Sequence, residues 1–437
     1  MMVGGFKRKI VVKSSSLHRW YDISKNEDIS SKYEKFAFWF AFAFILNGYA
    51  SGISGLSLGS VIFVAMSLLS LNKLSVINTY WSTLIFAFFA ISVSLIGFML
   101  NGMPYFTPKS MVVNIAKLLL WAIMSSVISE KYYKFEKIYK WLKIFAYVML
   151  IYLVFQDIAF YGFHKYLPNI FDFFVLKPYD AGYADATDYL TVSLIIRPAG
   201  FLSESAFLGN YLLCVLAMAF KDLCNRKSGN ISDILIISIG IILSSSTSAV
   251  VCMPILWIVY WKKMCRLAKI KVLIVCTAVI MAMALLVMMS VIRNSNFVYS
   301  FQYMFDKFSR ISQNTRIGKS FSYMKKVSPS ILFFGVGYGN YMTYLQELYG
   351  TTDYIYVNGV VGLIIQIGVI GLLEFGVFCF KLIYEGIKYK SDMVISLMLV
   401  YLLKGFSSGI FFSTYGIMFM FIINGELNIN RREREIV

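Results

Sequence analysis

The stretch RPAGFLSESAFLGNYLL, residues 197–213, sets an arginine, a glycine and a glutamate within eight positions of one another, directly before a long apolar run. Arg197 can grip an oxyanion through a planar fork of N–H donors that keeps its charge at any physiological pH. Glu204 can orient a hydroxyl or accept its proton. Gly200 permits a close backbone approach or a left-handed turn. A charge at the mouth of an apolar run is costly unless it is used. Two plainer roles stay open on the sequence alone: Arg197 as an interfacial anchor, and Glu204 as an acidic partner for a helix N-terminus.

The elements that must position these residues are hydrocarbon-compatible. The chain has 437 residues, 59% hydrophobic and 15% charged, with a mean hydropathy of +0.69. A soluble domain is closer to half apolar and one quarter charged. Apolar runs long enough to cross about 30 Å of hydrocarbon recur along the chain. The reading is an all-α polytopic membrane protein of about 12 transmembrane helices, with two large external loops carrying amphipathic helices. The spans fall at 36–51, 53–71, 80–100, 111–129, 142–161, 205–220, 231–245, 247–261, 271–292, 357–380, 393–410 and 412–424. In domain terms, 1–35 is a basic cytoplasmic tail and 36–161 holds spans 1–5. Residues 162–204 are an external loop, 205–292 hold spans 6–9, and 293–356 are the second external loop. Residues 357–424 hold spans 10–12, and 425–437 are a cytoplasmic tail.

The net charge of +18 is distributed as a topology signal rather than as a nucleic-acid footprint. Lysines and arginines crowd alternate short loops, such as Lys131, Lys134, Lys137, Lys140 and Lys143, and Lys262, Lys263, Arg266 and Lys269. The positive-inside rule then puts both termini in the cytoplasm, with anionic membrane lipids as the partner of that charge. No secretory signal pattern opens the chain. The six cysteines have no metal or redox spacing, and none lies in an external loop, so disulfides are not expected.

The second external loop is basic, with Arg316 and Lys319 among its cations. Phe297, Phe301, Met304, Phe305, Phe308 and Ile311 recur at helical spacing, as do Ile317, Phe321, Met324 and Val327. Both read as helices lying on the outer leaflet. Pro329 closes the second, and Gly335-Val336-Gly337-Tyr338-Gly339 follows as a flexible turn, either a hinge or a backbone nest for phosphate. Lys117, Asp157 and Lys404 fall inside spans, where ionisable groups are candidates for function, with snorkelling to the outer interface the plainer role for Lys117 and Asp157. Lys404 is the deepest of them. Glu374 and His164 read as interfacial. With only two histidines, His18 and His164, there is no zinc-binding cluster. There is no GxxxxGK[ST] phosphate loop either.

Over most of its length the chain resembles the bacterial O-antigen polymerase and ligase superfamily, whose members have about twelve spans and two large periplasmic loops with an arginine in each. NTRIGKSFSYMKKVSPSILFFGVGYGN, residues 314–340, resembles the family's second-loop succession and makes Arg316 the second arginine. In VNGVVGLIIQIGVIGLL, residues 357–373, Asn358, Gly368 and Gly371 fit the ligase spacing, but Val357 stands at its histidine position. The polymerases' arginine–glycine spacing is also off by one from Arg197 to Gly209. The resemblance implies a membrane glycosyltransferase that polymerises repeat units carried on undecaprenyl pyrophosphate, with neither metal nor cofactor. Arg197, Arg316 and Glu204 are then the catalytic set. Arg197, Arg316, Lys319, Asn358 and Lys404 are the candidate substrate-binding set, and a chain-length regulator is an implied partner. Alternatives are a ligase, which Val357 disfavours, and a lipid-linked oligosaccharide flippase or other transporter. The sequence shows no internal repeat of the kind transporters carry.

Overall fold

The computed structural model describes residues 30–51, 56–71, 81–102, 108–171, 197–226, 230–267, 318–352, 355, 357–407 and 409–435. Among these residues the fold is helical, with no strand beyond a single bridge between Ala50 and Ser57. The expected span at 271–292 and the expected helix at 297–311 lie outside the described residues.

The first half comprises α1 (residues 30–45), α2 (Leu58–Leu71), α3 (Trp81–Gly97), α4 (Pro108–Ile123) and α5 (Phe135–Asp157). Short π turns extend α3, α4 and α5. Next come α6 (Ser205–Lys221), α7 (Ile231–Leu243) and α8 (Thr247–Leu267). Three short helices follow, α9 (Gly318–Tyr323), α10 (Pro329–Phe334) and α11 (Tyr341–Tyr349). The chain then forms α12 (Gly359–Lys388), α13 (Asp392–Ser407) and α14 (Thr414–Glu435).

Five of the described helical stretches are long and apolar enough to cross a membrane: Trp81–Asn101, Val112–Tyr132, Phe135–Gly162, Ser205–Cys224 and Gly359–Lys388. Leu58–Ser70 and Ile231–Leu243 are apolar but shorter. Large apolar side chains such as Leu69, Phe88, Ile258 and Phe380 point outward, as lipid-facing positions do. These helices suit a membrane-embedded protein. At the centre stands α6, whose residues from Leu208 to Lys221 are all buried. A helix that is apolar on every face belongs inside a bundle, and α6 packs against α5, α7, α8, α13 and α14.

The ion pairs gather at one end of the bundle. Glu34 bonds Lys137 and Lys140, Lys143 bonds Asp233, Lys263 bonds Asp392 and Arg432 bonds Glu130. Lys221 and Glu426 meet there as a buried pair, with Lys221 also 4.4 Å from the Phe135 ring centroid. This is the end that holds the lysine-rich loops of the sequence reading.

Several boundaries differ from those expected. The helix of span 1 ends at residue 45 and runs into a 3-10 turn at Leu46–Gly48, and that of span 2 starts at Leu58, with Asn47, Gly48, Tyr49 and Ser57 buried between them. Ser57 Oγ donates to Asn47 Oδ1 and lies 2.8 Å from Ser60 Oγ, so these buried polar side chains satisfy one another. Past the span expected at 412–424, α14 continues as helix to Glu435. Its extension is held by Glu426 and by Gly425 packed on the Tyr133 ring. Pro329 starts α10 at its first turn instead of only closing the helix before it.

The glycine turn is neither a hinge nor an open nest. α12 breaks at Gly368, where φ is 69°, and the turn docks into the break. Val336 N–H donates to Ile365 O at 2.9 Å, and Gly337 N–H donates to Gln366 O at 3.0 Å. Tyr338 N–H bonds Ser94 Oγ at 2.5 Å, and Gly339 N–H bonds Gln366 Oε1 at 2.7 Å. Two of these donors satisfy carbonyls that the break in α12 leaves open, the other two take side-chain oxygens, and none remains for a phosphate. A Cβ at Gly368 would sit 1.9 Å from Phe333 O, a backbone atom that no rotamer change can move. Gly368→Ala is therefore expected to cost more than the roughly 1–3 kcal/mol of a strained backbone alone. The expected readout is a large fall in the thermal unfolding temperature of the purified protein. An unchanged transition would mean the turn does not lock into α12.

Candidate functional site

The residues around Arg197 and Glu204 are built onto α5 and α6. Residues 199–202 form a tight turn, with Leu202 N–H donating to Ala199 O at 3.0 Å. Gly200 adopts φ 64°, and its N–H donates to Gln156 Oε1 at 3.0 Å. A side chain at Gly200 would press on Met149 O of α5 at 3.2 Å, so this glycine serves both the left-handed turn and the close approach. Gly48 and Tyr49 brace the turn from the other side. Tyr49 Oη donates to Phe201 O at 3.0 Å, and a Cβ at Gly48 would collide with Ser203 Oγ.

Glu204 is the N-cap residue of α6, with extended backbone at φ −148° and ψ 142°. Its carbonyl accepts from Phe207 N–H at 3.0 Å and Leu208 N–H at 3.2 Å. Its carboxylate makes no capping hydrogen bond and is partly buried, within electrostatic reach of Tyr415. Phe207 stacks on the Tyr415 ring at 4.5 Å, which ties the start of α6 to the start of α14. A chain of hydroxyls extends from that point. Ser60 Oγ lies 3.1 Å from Thr414 Oγ1 and 2.8 Å from Ser57 Oγ, which donates to Asn47 Oδ1 at 2.7 Å. Arg197 is partly buried at the entry to the same turn.

Lys404 joins this region from α13. Its side chain is 1% exposed, and Nζ donates to Ser248 Oγ at 2.6 Å. Ser248 belongs to a run of hydroxyl residues, Ser244 to Ser248, that makes the sharp corner between α7 and α8, with Ser245 at φ 51°. Ser246 from this corner packs against Gly209 of α6. A side chain so enclosed does not snorkel to the interface.

The second loop forms a separate cluster. Asn358 caps α12, its Oδ1 accepting from Val361 N–H at 2.8 Å, while its own N–H donates to Ser320 Oγ at 2.9 Å. It is fully buried, and its Nδ2 has no hydrogen-bond partner. Lys319 is exposed on α9, beside Ser320. A small apolar core of Val327, Ile331, Val336, Tyr344, Leu345 and Ile365, among others, holds α9–α11 on α12. Arg316 lies outside the described residues; the structure brings Lys404 to the serine corner and that corner to Gly209, five residues past Glu204 on α6. Tyr338 of the glycine turn makes an edge contact with Phe412, two residues before Thr414, at 5.8 Å. Lys117 is partly buried on α4, and Asp157 sits at the end of α5. His164 is exposed at φ 55°.

Sequence reading passed over Ser205, Asn210 and the Ser244–Ser248 corner. The signal was present, since hydroxyl residues in unbroken succession between two apolar runs are uncommon company. Its partners, Gly209 and Lys404, lie far away along the chain. Among the described residues no group of three or more His, Cys, Asp or Glu side chains is placed to hold a metal ion. No protein-family model matches the chain, and no curated protein does.

Proposed function

We propose that this chain is a membrane glycosyltransferase that joins lipid-pyrophosphate-linked oligosaccharide repeats on the outer face of the cytoplasmic membrane. The observation that carries the reading is Glu204, a carboxylate at the N-cap of the central helix that does not cap it, set within eight residues of Arg197. In the proposed reaction the acceptor hydroxyl oxygen bonds to the anomeric carbon of the growing chain. The bond from that carbon to the pyrophosphate oxygen breaks, and its electron pair leaves with the pyrophosphate. Glu204 orients the hydroxyl and takes its proton. Arg197, with Arg316 from the second loop, offsets charge building on the departing pyrophosphate, which is already a good leaving group. Lys319 and Asn358 stand at the second-loop side of the substrate, and the growing polymer is passed to the next lipid-linked repeat. A chain-length regulator and anionic lipids complete the proposed partners.

In this proposal the twelve spans place both termini in the cytoplasm and residues 162–204 and 293–356 outside. Cysteine-accessibility labelling is expected to mark a cysteine introduced at Asp185 in intact cells. Labelling there only after permeabilisation would invert the topology and remove the site from its substrate.

The direct test is polymerisation by the purified protein from a defined lipid-linked repeat. Arg197→Ala and Arg316→Ala should each leave single unpolymerised repeats, and Arg→Lys should rescue neither, because an ammonium cannot reproduce the bidentate fork. The double variant should be little worse than the singles, as for groups that act as a unit. Full activity of Arg197→Ala would overturn the assignment. The reaction should also proceed with chelator present, and strict dependence on added magnesium or manganese would refute this mechanism.

A further inference from the structure

The N-termini of α6 and α8 lie side by side at the Glu204 end of the bundle. Gly209 of α6 faces Ser246 and Ala249 of α8, and further down Phe220 meets Trp257 and Tyr260 at 5.1 Å. The two helices therefore run parallel and point their positive ends the same way. Neither end is capped by a side chain. Glu204 leaves α6 uncapped. Ser246, whose carbonyl starts α8 by accepting from Ala249 and Val250 N–H, has an Oγ with no hydrogen-bond partner. Ser205 Oγ, one turn before Gly209 on the same face of α6, is likewise buried and unpartnered. These hydroxyls are 2% and 1% exposed for Ser205 and Ser246. Lys404 Nζ reaches the corner through Ser248, two residues from Ser246.

Two parallel helix N-termini, a buried ammonium and two orphaned hydroxyls supply positive potential and donors, and buried polar groups left without partners are costly. We infer that they form a seat for a phosphate-type oxyanion. Resting on the glycosyltransferase reading, that oxyanion is the pyrophosphate of a lipid-linked substrate, held deeper in the bundle than Arg197. Glu204, the acid at the rim of the seat, is then placed beside the pyrophosphate, where the acceptor hydroxyl must arrive.

The test uses the full chain in discs of neutral phosphatidylcholine, with inorganic pyrophosphate as probe and calorimetric binding as the readout. Wild type should bind pyrophosphate. Lys404→Met, and independently the paired Ser205→Ala and Ser246→Ala, should each weaken binding at least about tenfold, as expected for loss of charge-assisted bonds. The serine pair guards against a variant that fails to fold, since it removes only two oxygens. Equal affinity in wild type and the serine variant would overturn the seat. Discs containing phosphatidylglycerol separate the two sources of such an anion. Displacement of the probe by that lipid would overturn the assignment to substrate, and its absence supports it. A polymerising Lys404→Met protein that still binds pyrophosphate sinks this inference alone. Wild-type protein that binds the probe but makes no polymer sinks the glycosyltransferase reading alone.

Discussion

Glu204→Gln is expected to slow chain growth by about 10²–10⁴-fold, the usual contribution of a positioned general base, while the protein stays folded. The structural cost should be small because the carboxylate makes no capping bond to lose. What remains is its interaction with the α6 dipole, worth about 0.3–1 kcal/mol. Glutamine keeps the shape and can still accept a hydrogen bond, but it cannot take a proton. Polymer ladders from purified protein measure the rate, and thermal unfolding of the same sample measures the fold. A variant with wild-type ladders would leave Glu204 only its dipole role and remove the base from the mechanism.

The second large effect is expected at the opposite end of the bundle. Lys221 and Glu426 form an ion pair with side chains 9% and 2% exposed. Tyr133 Oη donates to Glu426 Oε2 at 3.3 Å, and Asn430 Nδ2 donates to Oε1 at 3.4 Å. Removing one partner strands the other charge in a low-dielectric interior, a loss of about 3–5 kcal/mol. Glu426→Ala should therefore lower thermal stability sharply, with Lys221→Met comparable. The double variant should be more stable than either single, since no charge is left uncompensated. Additive losses in the double would mean that the pair contributes packing rather than electrostatics. Polymerisation by whatever protein remains folded should be unaffected, because α6 and α14 carry this pair far from Glu204.

The sequence by itself determined that the chain is helical and apolar enough for a membrane, because runs such as 80–100 and 205–220 exceed what a soluble core requires. It also singled out Arg197, Gly200 and Glu204 as candidates, since a charge beside an apolar run stands out in one dimension. The start of the span expected at 357 was legible too, and there the structure shows Asn358 capping α12. The sequence could not show that α12 breaks at Gly368 and takes in the 335–339 turn. That arrangement depends on backbone carbonyls of residues 365 and 366 finding donors some thirty positions earlier. Nor could it show that Lys404 meets Ser248, or that α6 and α8 lie parallel with uncapped ends together. Periodicity reports which face of a helix is apolar, and α6 is apolar on every face, so its neighbours were undetermined until packing chose them. Tertiary structure made that choice through close approaches at Gly209 and Gly200, where the absence of a side chain lets one helix or turn come within reach of another's polar atoms.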